Sequence, residues 1–311
     1  MRAPSEMAEN VEISDIAAAD GRALDGSDLR VDVHRGERTY VVRSRQVRPN
    51  FPSTVCPFCP GGLEAPDDYD VRWFRNRWPA MPDDRCEVIL YTPDHDATFW
   101  SLGPAGARKV IDLWAERSTA LGAADHISYV LVFENRGAEV GATIAHPHGQ
   151  IYAFDEIPEQ PRSELERGDQ FSAPGDRLVA TSAGWQAWVP EAPVFPYELL
   201  LVPHAPVPDL PSLDDAGRDG LAALLVDVLE RLDLVFDTQT PYMLWIHQRP
   251  FDGGEWAQAR LHVEIVSPWR AAGVPRFIAA GELGSGIYFN PVRPEDVALS
   301  LRLARSRALD A

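Results

Sequence analysis

The stretch "HPHGQIYAF", residues 146–154, has a fainter partner in "RLHVEIVSP", residues 260–268. His148 to Ile151 reads H-G-Q-I, and His262 to Ile265 reads H-V-E-I. The segments before each also correspond. "EVILYTPDHD" (87–96) matches "YELLLVPHAP" (197–206), and "ISYVLVFENRG" (127–137) matches "PYMLWIHQRP" (241–250). Between the members of each series lies an amphipathic run: Val110, Trp114 and Leu121 after Pro104 in the first, Leu221 to Leu232 in the second. The order strand, helix, strand, strand therefore occurs twice. Alternating apolar residues can coincide by chance, but agreement in both order and length favours a duplicated unit. The predicted fold is α+β, two tandem units forming a mainly antiparallel sheet with helices packed on it.

The first helix is predicted over roughly 104–121 and the second to start at a capping box, Ser212 with Asp215. The polar, proline-bearing run 157–176 reads mostly as a connector, and the glycine-rich run 275–291 as backbone able to approach a ligand. Residues 1–29, rich in Ala, Asp, Glu and Ser, read as a mobile tail. The first unit is then expected over 30–190 and the second over 191–311.

The chain has 311 residues, 29 basic and 47 acidic, for a net charge of −18. That balance argues against a nonspecific nucleic-acid or anionic-membrane binder, while leaving room for a small phosphorylated substrate held by a few arginines. No apolar run before residue 30 is long enough for a signal peptide or a membrane span. Three cysteines, an odd number, suit a reducing cytoplasm better than a disulfide scaffold.

Two motifs carry chemistry. Cys56 and Cys59 stand at CxxC spacing, which suits two thiolates on one Zn²⁺. A redox pair would need a helix through the second cysteine, and Pro60-Gly61-Gly62 breaks one. Further ligands would come from His95, His146 or His148. In the strand at 146–154, His146, His148 and Gln150 project from one face. A neutral imidazole is a good nucleophile toward phosphorus, and a glutamine amide can hydrogen-bond a phosphoryl oxygen. Spacing leaves two readings open: both histidines on one metal, or a metal ligand beside a nucleophile.

An ordered series of motifs resembles the galactose-1-phosphate uridylyltransferase family, the transferase branch of the histidine-triad superfamily. The series is "RQVRP", "CPFCPG", "WFRNRWPA", "TPDHDATF", "ENRGAEVGATIAHPHGQIYAF", "FPYELLLVP", "WIHQRPF", "LHVEI" and "GELGSGIYFNP". The resemblance implies two histidine-triad-like units in an open half-barrel, and a ping-pong exchange of a uridylyl group between UDP-glucose and galactose 1-phosphate. It assigns His148 as the nucleophile, Gln150 as the phosphoryl-holding amide, and Cys56, Cys59, His95 and His146 as zinc ligands. Arg45 and Arg48 match residues near the phosphates, Phe74, Asn76 and Trp78 the nucleoside pocket, and Asn135 and Thr143 nucleotide-phosphate contacts. Glu164, His247, His262 and Glu264 match a second site, for iron or zinc, with Glu264 in place of a histidine; a hydrogen-bonded polar cluster is the rival reading. Arg276 and Glu282 match hexose-phosphate positions. Arg77, Gly281 and Tyr288 depart from one branch near the base and the sugar. The resemblance also implies a homodimer with the active site near the subunit interface. The competing readings are a sister enzyme using ADP-glucose, a histidine-triad hydrolase, which Gln150 opposes, and a non-catalytic binding module.

Overall fold

The computed structural model describes residues 27–42, 45, 55–168 and 171–310; the predicted tail lies almost wholly outside them. Nine strands form one continuous antiparallel sheet. In chain order its strands are β3 (Arg72–Arg75), β4 (Cys86–Leu90), β5 (Tyr129–Arg136), β6 (His148–Phe154), β7 (Leu178–Ser182), β8 (Trp185–Trp188), β9 (Tyr197–Pro203), β10 (Tyr242–His247) and β11 (His262–Ser267). Their spatial order is β3-β4-β6-β5-β10-β11-β9-β8-β7. Two small hairpins stand apart, β1 (Ser27–Val31) with β2 (Arg38–Val42) and β12 (Trp269–Ala271) with β13 (Val274–Pro275).

The two predicted units meet at the β5–β10 pair, and the order β4-β6-β5 is mirrored by β9-β11-β10. Strands β7 and β8, which lie within the expected first unit, pair onto β9 of the second. There they extend one edge of the sheet as β3 extends the other.

Five helices are present among the described residues: α1 (Gly103–Gly122), α2 (Glu159–Arg167), α3 (Asp215–Phe236), α4 (Ala280–Ser285) and α5 (Pro294–Asp310). Pro104 opens α1, where its missing N–H costs nothing, and Ala107, Val110, Ile111 and Trp114 bury one face. The start of α3 differs from the predicted cap. Asp214 is the N-cap, its side chain accepting from Gly217 N at 2.7 Å, while Ser212 N donates to Asp209 in the preceding turn. Helices α1 and α3 pack together on one face of the sheet, around Ile89, Val132, Ile151, Leu201, Ile246 and Val263.

The other face is open. Along β6, Gly149, Ile151 and Ala153 are buried against the helices, while His148, Gln150 and Tyr152 alternate with them and are half exposed. One cross-sheet row runs Phe74–Val88–Gln150–Phe133–Trp245–Glu264–Leu200. Gln150 and Glu264 thus share the open face, three strand spacings or about 14 Å apart.

Candidate functional site

His148 begins β6, and its Nδ1 lies 2.7 Å from the backbone carbonyl of His146. A carbonyl only accepts, so Nδ1 carries the proton and Nε2 the in-plane lone pair. The Phe58 ring packs edge-on against the imidazole with centroids 5.0 Å apart, limiting its rotation. The ring therefore lies on the open face in an orientation whose neutral form keeps its proton on Nδ1.

Two steps along, Gln150 Oε1 accepts from Asn76 Nδ2 at 3.2 Å, and Asn76 Oδ1 accepts from the Trp78 backbone N–H at 2.9 Å. The backbone donor fixes the Asn76 amide, and Asn76 fixes that of Gln150. The Gln150 NH2 is then the end presented as donor beside His148.

The Cys–His group is assembled from three places. Cys56 and Cys59 lie in the turn before β3, His95 in the loop after β4, and His146 just before β6. Their ligand atoms all fall within 4.8 Å of one another. Cys59 Sγ is 3.6 Å from His95 Nδ1 and 3.7 Å from His146 Nδ1. Zn–S near 2.3 Å and Zn–N near 2.05 Å at a tetrahedral angle would place S and N about 3.6 Å apart, so the spacing is that of a tetrahedral ion. His146 is fully buried, and its Nε2 donates to Thr92 O at 2.7 Å with the Tyr69 hydroxyl at 2.9 Å, turning Nδ1 toward the thiols. Burial, helped by the His95 charge, holds His146 below the usual imidazole range despite that hydrogen bond. Burial and the neighbouring Cys56 push the Cys59 thiol up, so an arriving ion must displace its proton. Cys56, Cys59 and His95 line a cavity of about 750 Å³ together with Thr143 and the 137–145 loop.

The second cluster sits around β10 and β11. His262 Nδ1 lies 2.9 Å from Arg260 O, the same contact two residues back that fixes His148, and Phe171 packs edge-on at 5.3 Å as Phe58 does on His148. Three of its spacings suit a shared ion: His262 Nε2 to Glu164 at 3.4 Å, and both histidines to Glu264 at 3.6 Å. The fourth, His247 Nδ1 to Glu164, is a 2.7 Å hydrogen bond. Burial opposes both charges here, but Glu164 and Glu264 raise His262 to about 9, and the two histidines lower Glu164 to about 2. As it stands the cluster is an ion-paired network whose donors, two imidazoles and two carboxylates, also suit a borderline divalent metal. Glu164 comes from α2, a helix inside the run expected to be a connector.

Known proteins match this chain over most of its length. A model of the N-terminal domain of galactose-1-phosphate uridyl transferase matches residues 75–158, and one of the C-terminal domain matches 143–283. The galactose-1-phosphate uridylyltransferase of Thermotoga maritima is 32% identical, over 88% of this chain and 98% of its own. That of Streptomyces lividans is 35% identical, over 90% and 88%. The chain belongs to the galactose-1-phosphate uridylyltransferase family. A solved uridylyltransferase structure superposes with a TM-score of 0.80 at 28% identity, covering 91% of this chain and 99% of that one. An Arabidopsis thaliana ADP-glucose phosphorylase with bound ADP-glucose shares the fold, with a TM-score of 0.70 at 23% identity, over 89% and 99%.

The uridylyltransferase positions expected from the sequence are not all in one place. Phe74 packs against Phe58 at 5.7 Å, in the same row as Gln150. Asn135 follows Glu134 at the end of β5, opposite His148 by continuation of the register. Arg45 lies near enough to Cys86 for its charge to offset part of that thiol's burial, at the end of β4 away from His148's neighbour Leu90. Arg48 lies outside the described residues. Arg276 and Glu282 are both buried and ion-paired to each other. Glu282 also accepts from the backbone of Ala279 at 3.0 Å and Phe289 at 2.9 Å, so within this chain the pair holds together the 276–289 loop. That loop, read from sequence as a glycine-rich ligand-approaching run, contains α4. The contacts of Tyr69 with His146 and of Phe58 with His148 follow no local spacing and leave no signal in the sequence.

Proposed function

We propose that the protein exchanges a uridylyl group between UDP-glucose and galactose 1-phosphate through a uridylyl-His148 intermediate. The observation that carries this is the imidazole of fixed tautomer beside an amide whose donor end is fixed, both on the open face. His148 Nε2 attacks the α-phosphorus; an N–P bond forms, and the bridging P–O bond breaks, its electrons leaving with glucose 1-phosphate. The Nδ1–H stays on the ring, where the His146 carbonyl stabilises the charge gained on phosphorylation. Gln150 donates to a nonbridging oxygen as charge builds on it. In the second half-reaction a phosphate oxygen of galactose 1-phosphate attacks the same phosphorus and the N–P bond breaks, giving UDP-galactose. Both leaving groups depart as stable anions, so no strong general acid is required.

Cys56, Cys59, His95 and His146 would hold Zn²⁺, and two thiolates with two neutral imidazoles fit that ion. Bound there, zinc would supply a rigid anchor immediately before the nucleophile strand. Glu164, His247, His262 and Glu264 would hold a second ion, iron or zinc. Phe74, Asn76, Trp78, Asn135, Thr143, Arg45 and Arg48 would serve the nucleotide side. Exposed apolar side chains on the 274–289 segment, including Phe277 and Phe289, support a homodimer in which this segment reaches the partner's site. Among the described residues no helix is long and apolar enough to cross a membrane; the cytoplasmic assignment is supported by the three cysteines, which suit a reducing compartment. We place the two units at 30–190 and 191–311, with the β7–β8 hairpin of the first docked on the second.

Incubation with UDP-glucose and no acceptor should leave a uridylyl mass on His148, and His148→Ala should abolish exchange while first-site metal content is retained. A second reading, use of ADP-glucose, is favoured by an Arabidopsis thaliana ADP-glucose phosphorylase 26% identical over 298 residues. An adenylyl adduct from ADP-glucose with none from UDP-glucose would establish it in place of the first.

A further inference from the structure

Behind the nucleophile strand, on the face covered by helices, the first unit is polar where the second is apolar. Gly149 lies between Ile89 on β4 and, by continuation of the Phe133–Gln150 register, Glu134 on β5. Its counterpart Val263 lies between Leu201 and Ile246. Val263, Leu201 and Ile246 are all fully buried, an ordinary apolar core. In the half that carries His148, the same places hold a glycine and a carboxyl group, with Tyr91 beside them where the second unit has Pro203.

This exchange is costly, because burying a carboxyl group and a phenol needs compensating hydrogen bonds. Glu134 is 4% exposed and accepts from the Tyr242 hydroxyl at 2.6 Å. Its second oxygen, the Tyr91 hydroxyl and Trp114 Nε1 are buried with no hydrogen-bond partner among the described residues. Tyr91 and Glu134 are nonetheless close enough to perturb each other's titration. The Tyr91 ring is clamped by Phe99 and Trp114, centroids 5.4 and 5.9 Å away. Its backbone N–H donates to Pro147 O at 3.3 Å, and its hydroxyl stands 2.1 Å from where a Cβ on Gly149 would be. Tyr91 therefore spans the His-Pro-His-Gly run from behind, touching it on both sides of His148.

We propose that Tyr91, clamped by Phe99 and Trp114 beside the Glu134 carboxyl, is a positioning residue for the nucleophile: its hydroxyl supports Gly149 and so fixes the backbone on which His148 and Gln150 are mounted. Neither Tyr91 nor Glu134 touches substrate. The glycine is required because the hydroxyl occupies the space of its side chain, and the hydroxyl is there because an aliphatic residue would let the strand settle inward. The inference rests on His148 as nucleophile, and it extends that reading to the buried face.

The test is the set Tyr91→Phe, Gly149→Ala and the double variant. Two rates are followed, adduct formation from UDP-glucose and site-resolved modification of His148 by diethyl pyrocarbonate in substrate-free protein. Tyr91→Phe should slow both about tenfold and Gly149→Ala about a hundredfold, with KM for UDP-glucose and first-site metal content unchanged. In the Gly149→Ala background, Tyr91→Phe should instead raise both rates, since it removes the group the new methyl meets. A purely structural role predicts no such reversal of sign. Equal slowing in both backgrounds, or an unaffected Tyr91→Phe variant, would overturn the proposal. If Gly149→Ala does not fold, Tyr91→Phe and Glu134→Gln decide: the double variant should be no slower than the slower single, and multiplied effects refute the link. If the wild-type protein forms no adduct with any nucleotide sugar, the transfer reading fails, and the pyrocarbonate rates alone decide the positioning role.

Discussion

Gln150, on the open face of β6, and Glu134, on the helix-covered face of neighbouring β5, each predict a distinct measurement. The Gln150 amide is oriented by Asn76, whose own orientation comes from a backbone N–H. Asn76→Asp removes the donor and leaves Gln150 to turn its oxygen toward the phosphate. Adduct formation should then fall by about 10²–10³, the cost of one transition-state donor, with KM little changed. Burial raises Glu134 from 4.5 to about 7, against the opposing Tyr242 hydrogen bond and Arg136 charge. A carboxyl raised in the folded state binds its proton more tightly than the unfolded chain does. The contribution to stability is therefore full below pH 4.5, declines as pH rises, and is lost above about 7. The loss is at most about 3 kcal/mol. Denaturant melts of Glu134→Gln against wild type across pH 4–8 should show the difference only above pH 4.5, with Tyr91, Tyr242 and Arg136, the facing groups, not titrating in that range. A pH-independent difference would mean that Glu134 does not titrate near neutrality.

At the scale of elements, the CxxC turn shows what the sequence could and could not convey. The pair of cysteines and the helix-breaking Pro60-Gly61-Gly62 were legible as a turn that could take a metal, and the structure groups both cysteines with His95 and His146. The reason for the second glycine was not: a Cβ on Gly62 would meet the carbonyls of Cys56, Pro57 and Cys59 at 2.7–2.8 Å. Gly62→Ala should open the turn and weaken first-site metal affinity on the order of 10–100-fold, read by competition with a chelator. The helices divide similarly. Their apolar periodicity placed α1 within a residue of each end, because burial of one face dictates it. The cap of α3 fell on Asp214, not Ser212, because the preceding turn takes up Ser212 N through Asp209. Asp214→Ala should cost about 1 kcal/mol. Helix α2 was hidden because only Pro161 and Leu165 of its nine residues are buried, too few for a periodic signal. Arg276 and Glu282 drew notice only by resemblance, and their mutual pairing depends on a loop no spacing specifies.

Across the whole molecule the two proposed units are joined by more than the β5–β10 strand pair. Asp233 on α3 of the second unit accepts from Trp100 Nε1 at 2.7 Å, just before α1 of the first. It also pairs with Arg136 at the end of β5 and accepts from the Thr240 backbone N–H at 2.8 Å before β10. One buried carboxylate therefore ties both helices and both central strands at the junction. Asp233→Ala would leave Arg136, whose side chain is largely buried, without its counter-ion, and breaking a pair of this kind costs about 3–5 kcal/mol. Because helices α1 and α3 share one continuous core, that cost should appear as a lowered midpoint of a single unfolding transition. His148 and the metal-site cysteines lie on elements that Asp233 does not touch. At temperatures where the variant is folded, adduct formation should therefore stay within about threefold of wild type, below the 0.7 kcal/mol such a change represents. Two separated transitions in calorimetry, with only one moved by Asp233→Ala, would show that the units unfold independently and that the junction carries little of the stability.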